Sequence, residues 1–267
     1  MMNRIPSRKL GQEAGDALGD RDPRTALPGG SGPSPRHLAI IPDGNRRWAQ
    51  RRGLTAPCGH AQGFLVTTPP LLEAIWQHGV RHTTLWMFST DNWQRPKEEL
   101  DPLMVIYERF LELLVPLTRR HDIRVCHRGR SDRLPMALGR RLAMTLAACS
   151  SGRRGTLQLA LDYGGRDELV RTVRSLVAAG VAADDIDETR LAAELDNRSS
   201  YGRPEMEPGD PDLILRTSGE QRLSGFMPWQ SCHSELFFPS TLYPDLSDVE
   251  LRRILAAYGE RQRRYGR

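Results

Sequence analysis

The stretch His37-Leu38-Ala39-Ile40-Ile41-Pro42-Asp43-Gly44-Asn45-Arg46-Arg47-Trp48 carries the outline of the fold. The first five residues are mostly aliphatic and read as a strand buried on both faces. Pro42 to Gly44 read as a turn, and the residues from Asn45 suit a helix. A strand that turns straight into a helix is the opening of a parallel β-α-β unit. The alternation recurs downstream, with strands predicted at His37 to Ile41, Thr83 to Phe88, Ile123 to His127, Thr156 to Leu161, Leu213 to Leu215 and Leu236 to Phe238. Between them, Leu100, Leu103, Met104, Tyr107, Phe110, Leu111 and Leu114 recur at helical spacing across Glu98 to Arg120, and Arg133 to Cys149 and Arg166 to Ala179 also suit helices. The expected architecture is α/β, a single domain with a mostly parallel six-stranded sheet flanked by helices. Ligands of such folds sit at the carboxyl ends of the strands, so chemistry is sought in the turns that follow each run.

Composition narrows the class. The chain has 267 residues, 39% hydrophobic and 27% charged, with a mean hydropathy of -0.51, and no apolar run approaches the roughly 20 residues that span a bilayer. The N-terminus lacks the apolar stretch of a signal peptide, so the expected location is cytoplasmic. Residues 1–35 mix Gly, Pro, Ser, Arg and Asp without apolar periodicity and read as a disordered tail, leaving residues 36–267 as one α/β domain. Cys58, Cys126, Cys149 and Cys232 form no metal-binding pair and read as reduced thiols packed as small apolar groups. The excess of 38 Lys+Arg over 33 Asp+Glu favours an anionic partner. No nucleic-acid-binding signature accompanies it, so no nucleic-acid partner and at most peripheral membrane contact are expected.

Three predicted strand ends carry polar chemistry. After the first, the turn into a helix offers backbone N–H groups to an anion, Gly44 allows close approach, and Arg47 adds a forked donor suited to phosphate. Asp43 would repel a diphosphate there, a conflict that a bridging Mg²⁺ resolves; as turn and cap residues, Asp43 and Asn45 also have an ordinary structural explanation. After the second strand come Phe88-Ser89-Thr90-Asp91-Asn92-Trp93-Gln94-Arg95-Pro96, and after the fifth Arg216-Thr217-Ser218-Gly219-Glu220-Gln221-Arg222-Leu223-Ser224, whose composition suits a loop closing on a phosphate group.

At these residues the chain resembles the cis-prenyltransferase family, isoprenyl transferases of the undecaprenyl diphosphate synthase type. The resemblance runs from about residue 36 to 267. It rests on the opening stretch, Gly59-His60 with Gly63, the Phe88 to Pro96 loop, Tyr163-Gly164-Gly165-Arg166, Asp212 to Phe226, Trp229-Gln230 and Glu235 to Phe238. It implies a cis-prenyltransferase fold with a hydrophobic product tunnel. The implied activity condenses isopentenyl diphosphate with an allylic diphosphate, forms a Z double bond and requires Mg²⁺. It implies that Asp43 is catalytic and binds the metal, that Gly44, Asn45, Arg46 and Arg47 cradle the allylic diphosphate, and that Trp48 lines the site. His60 would face the diphosphate, and Ser89, Thr90 and Asp91 would line the reacting centre. Asn92 would assist proton removal, with Trp93 and Arg95 completing that loop. Arg216, Arg222, Leu223 and Ser224 match the isopentenyl diphosphate pocket, and Glu235 a second acidic metal group. The resemblance also implies a homodimer.

The chain departs from that pattern in three places. Ala56 stands where an arginine is usual. Pro69-Pro70 fall inside the helix that begins near His60, which should kink or restart. Met87 occupies a place usually given to a small side chain and would limit the product to short or medium length. The run Asp184-Asp185-Ile186-Asp187-Glu188 superficially resembles the aspartate-rich motif of all-helical synthases, but a helix cap with acidic first-turn residues accounts for it. Two alternatives stay open, an irregular head-to-middle coupling enzyme and a non-catalytic partner subunit.

Overall fold

The computed structural model describes residues 34–195 and 206–261. The tail expected over residues 1–35 falls outside them except for Ser34 and Pro35, as do the arginines beyond Arg261. The strands are β1 (His37–Ile41), β2 (His82–Ser89), β3 (Ile123–Arg128), β4 (Gly155–Tyr163), β5 (Leu213–Arg216) and β6 (Glu235–Phe237). They form one six-stranded sheet in the order β3-β4-β2-β1-β5-β6, and every pairing is parallel. β1 and β4 are buried along their whole length, which explains why they read as apolar runs rather than alternating ones. Side chains of β1 nevertheless alternate between layers. Leu38 and Ile40 join the main core, while Ala39 and Ile41 pack with Tyr163, Phe226 and Met227 on the other face.

The helices are α1 (Asn45–Gln50), α2 (Ala56–Ala61), α3 (Thr68–Gln77), α4 (Lys97–Arg120), α5 (Met136–Ala148), α6 (Gly165–Ala178), α7 (Glu188–Leu195) and α8 (Asp248–Gly259). The 24 residues of α4 span about 36 Å and bury Leu103, Met104, Tyr107, Phe110, Leu111 and Leu114 against the sheet. α5 starts three residues later than expected because Pro135 marks its boundary. α8 was not predicted, although Ser247 and Glu250 carry its cap signal, the Glu250 N–H donating to Ser247 Oγ at 3.3 Å. Asp187 Oδ1 likewise accepts from Arg190 N at 2.8 Å, so the acidic run does act as a helix cap. Pro69-Pro70 do not interrupt the helical run, but the α-helix restarts just before them. α2 runs through a π-helical stretch, Gln62–Thr67, into α3, whose first turn holds the prolines. The Thr68 hydroxyl donates to Gly63 O at 2.8 Å across that widened turn. All four cysteines are free; Cys126 and Cys149 are buried as expected, whereas Cys58 and Cys232 are exposed.

β1 lies between β2 and β5, so the chain leaves it toward one side of the sheet and later returns on the other. That reversal opens a crevice at the carboxyl ends of β1, β2 and β5.

Candidate active site

The turn after β1 is built for close approach. Gly44 has φ 105°, and a Cβ there would lie 2.9 Å from Leu242 Cδ2 and 3.1 Å from Ser218 Cβ. This presses Asp43 against the start of the loop after β5. Asp43 Oδ2 accepts from Arg216 Nη2 at 2.8 Å and Nε at 3.2 Å, and Oδ1 faces Arg47 Nη2 at 3.5 Å. Arg216 is buried and spends its remaining nitrogen on Arg222 O at 2.6 Å and Ser224 Oγ at 2.9 Å. Arg47 donates to Ser218 Oγ at 2.6 Å and pairs with Glu220 at 3.2 Å. Three arginines, Arg47, Arg216 and Arg222, thus meet two carboxylates, Asp43 and Glu220, in a cross-linked array that keeps one positive charge in excess and favours an anion.

The turn after β2 is held by a capping box. Asn92 Oδ1 accepts from Ser89 N at 3.0 Å, and the Ser89 side chain accepts from the Asn92 backbone. Because a backbone N–H must face the amide oxygen, the Asn92 group left for other partners is a donor. Arg95 pairs with Glu99 at 2.8 Å, and Glu99 also lies 3.7 Å from Arg46 and 3.9 Å from His60. His60 is buried with neither ring nitrogen hydrogen-bonded among the described residues. Burial, and then Arg95 and Arg46, lower its pKa to about 4, so the ring is neutral at neutral pH.

One cavity of about 310 Å³ lies here, lined at its mouth by Asp43, His60, Ser89, Asp91, Asn92, Arg95, Arg216 and Ser224, while Arg47 stands beside Asp43 outside the lining. Its floor is apolar, formed by Phe64, Met87, Phe88 and Tyr107. Phe64 meets Tyr107 edge-on at 5.1 Å. The β2–β4 register shifts between Trp86 and Phe88, so Met87 is an extra residue in the ladder. Its carbonyl accepts from the Tyr107 hydroxyl instead. A larger concavity of about 960 Å³ lies between α6 and α7, but Asp184, Asp185, Asp187 and Glu194 line it and would repel a diphosphate.

Not every residue expected at the site converges there. Asn45 lines the cavity, but its amide donates to Pro42 O at 2.8 Å and braces the turn. Thr90 packs onto Gly164, where a Cβ would lie 2.4 Å from its hydroxyl. Trp93 turns its indole to Asp162 at 2.9 Å. Trp48 donates to Asp245 at 2.7 Å, with Arg52 4.1 Å above its ring, and does not line the cavity. Arg46 and Arg222 are mostly exposed, the latter paired with Glu220, and Leu223 packs beside Phe226 and Met227. Ala56 opens α2 outside the lining. Glu235 begins β6 beside Leu213, at the amino end of β5, and pairs with Arg261. Arg216 stands three residues further along β5, so about 10 Å of strand separates Glu235 from its level. Among the described residues no three His, Cys, Asp or Glu side chains gather as a metal site. Asp43 still fits Mg²⁺, which is commonly held by one or two carboxylates together with substrate phosphate oxygens.

The family model for prenyltransferases described as undecaprenyl diphosphate synthase matches residues 41–266. An isoprenyl transferase of Aquifex pyrophilus is 37% identical over 233 residues, covering 87% of this chain and 96% of the relative. One of Thermus thermophilus is 40% identical over 245 residues, covering 88% and 90%. Among solved structures, lavandulyl diphosphate synthase from Lavandula x intermedia, in complex with dimethylallyl diphosphate, superposes with a TM-score of 0.80 at 34% identity, covering 88% of this chain and 99% of that one. A parallel sheet with an arginine-rich, Asp43-centred crevice and these likenesses lead to one conclusion: the chain belongs to the undecaprenyl diphosphate synthase family of isoprenyl transferases.

Proposed function

We propose that this chain condenses isopentenyl diphosphate with an allylic diphosphate, head to tail, to give a Z-configured prenyl diphosphate of short or medium length. One observation carries the reading: the cavity joins a polar mouth that carries Arg95 and Arg216 to an aromatic and aliphatic floor. A charged head on an isoprenoid tail matches both halves. At about 310 Å³ it lies at the small end of ligand pockets, which run from ~300 to 1,000 Å³, and this supports a short product. Met87 is taken as the residue that limits growth.

Cleavage of the allylic C–O bond leaves its electron pair on the departing diphosphate, and Arg47 and Arg216 face that developing charge. The double bond of isopentenyl diphosphate supplies the pair for the new C–C bond, and loss of a proton from the neighbouring carbon restores a double bond. With its oxygen committed to Ser89, Asn92 orients the proton acceptor by donation, and the departing diphosphate takes the proton. Neutral His60 serves as a further donor. Asp43 would hold Mg²⁺, which when bound neutralises diphosphate charge. A contribution from Glu235 would come from the partner subunit of a homodimer. The enzyme is taken as cytoplasmic, with residues 36–267 as its catalytic domain.

The test is incubation with labelled isopentenyl diphosphate, Mg²⁺ and dimethylallyl, geranyl or farnesyl diphosphate, followed by chain-length analysis. Label should enter short or medium products; no incorporation with any primer overturns the activity, and undecaprenyl-length product overturns the size limit. The likeness to lavandulyl diphosphate synthase favours a second reading, irregular coupling of two allylic units. Product formed from dimethylallyl diphosphate alone would establish it.

A further inference from the structure

Tyr163-Gly164-Gly165-Arg166 contributes no side chain to the cavity, yet the residue before it sits in an unusual place. Asp162 is fully buried near the carboxyl end of β4, with φ 51°, a left-handed backbone that a non-glycine residue keeps only where its surroundings enforce it. Its Oδ2 accepts from Arg133 Nε at 2.9 Å, and its Oδ1 is paired with Arg133 Nη2 and accepts from the Trp93 indole at 2.9 Å. Its backbone oxygen accepts from Arg130 N at 3.0 Å. Every oxygen of Asp162 is therefore satisfied, by groups from two different turns.

One of those turns is the active-site loop. Trp93 belongs to the 3₁₀ turn Thr90–Gln94 and meets Phe88, on the cavity wall, edge-on at 4.8 Å. Asp91, Asn92 and Arg95 around it line the cavity, whereas Trp93 and Asp162 do not. A five-residue turn has little packing of its own, so its position depends on such outside contacts.

We infer that Asp162 is a positioning residue: held by Arg133, it grips the Trp93 indole and so sets Asn92 and Arg95 at the mouth of the cavity. The kinetic part of this inference rests on the condensation proposed above; the structural part does not.

Three variants separate positioning from folding. Trp93→Phe keeps a ring against Phe88 and removes the indole donor. Asp162→Ala keeps Trp93 and removes its acceptor. Asp162→Asn keeps an acceptor for the indole while setting an NH₂ against Arg133. The first two should lower kcat about tenfold, the scale of one hydrogen bond to a charged group, while KM for isopentenyl diphosphate changes less than about twofold. Asp162→Asn should lose thermal stability yet keep kcat within about threefold, rescuing the alanine variant. Amide hydrogen exchange on the unliganded protein should show Thr90 to Arg95 opening about tenfold more readily in the first two variants, with α4 unchanged. Wild-type exchange in that turn in Trp93→Phe, or equal loss of kcat in Asp162→Ala and Asp162→Asn, overturns the clamp. Near-wild-type kcat in Asp162→Ala with reduced kcat in Trp93→Phe also overturns it, showing direct action of Trp93. A wild-type enzyme that turns over no primer overturns the condensation reading instead, and hydrogen exchange then decides the clamp alone.

Discussion

Replacing Arg216 by lysine tests the centre of the site. The arginine makes four contacts, two to Asp43 Oδ2 at 2.8 and 3.2 Å, one to Arg222 O at 2.6 Å and one to Ser224 Oγ at 2.9 Å. A lysine keeps the charge but has one nitrogen, which cannot reach Asp43 together with the Arg222 carbonyl and the Ser224 hydroxyl. Losing one preorganised donor to transition-state charge costs about 2.7 to 4 kcal/mol, or roughly 100- to 1,000-fold in kcat/KM. The fold should suffer less. Asp43 is partly exposed and keeps Arg47 at 3.5 Å, so about 1 to 2 kcal/mol of stability is at stake after solvent screening, a fall of about 2 to 8 °C in Tm. Steady-state turnover with labelled isopentenyl diphosphate gives the first quantity and thermal unfolding followed by circular dichroism the second. A native spectrum with kcat/KM within about threefold of wild type would refute the argument. So would a collapse in Tm with little loss of turnover per folded molecule, because Arg216 would then be a structural residue.

Met87→Ala should lengthen the products, since it enlarges the cavity floor; an unchanged product distribution removes Met87 as the limit. Asn92→Asp keeps the oxygen that caps Ser89 N and loses the donor, so the fold should persist while kcat drops about tenfold or more; unchanged kcat would show that no donor is needed. Chelation by EDTA should abolish turnover, and Mg²⁺ should restore it; full activity in EDTA would refute a metal role for Asp43. Burial above all lowers the pKa of His37 to about 4 and of His82 to about 3. Their neutral forms suit the fold, so this stability is fully present above pH 6.5 and is lost as pH falls toward 4 and 3, on the order of 3 to 5 kcal/mol per ring. Tm measured against pH should show it, and a His82→Gln variant as acid-sensitive as wild type would contradict it.

Strand and core positions were legible because a parallel sheet buried on both faces demands uninterrupted aliphatic runs such as Leu38 to Ile41. The capping role of the acidic run ahead of α7 was readable for the same local reason, as Asp187 shows, whereas the equally local signal of Ser247 with Glu250 went unread. The π-helical passage to Pro69-Pro70 was not, because it depends on Thr68 reaching Gly63 O and on Tyr243 from far along the chain. Trp48 and Trp93 show the same limit. Their place in the motif says nothing about which way an indole turns, and the acceptors that decide it, Asp245 and Asp162, are remote in sequence.

By itself, then, the order of residues determined which segments become strands and helices, and which strand ends carry arginines and Asp43, since periodicity and local backbone preference are short-range properties. Only the tertiary structure decided the partners. It joined Asp43 to Arg216 across 173 positions of chain, left Glu235 at the other end of the sheet with Arg261, and turned the Trp93 indole to Asp162. The physical reason is that charge pairing and buried hydrogen bonds act over a few ångströms of space. Strand order and register, set by packing over the whole domain, choose which groups come within that range.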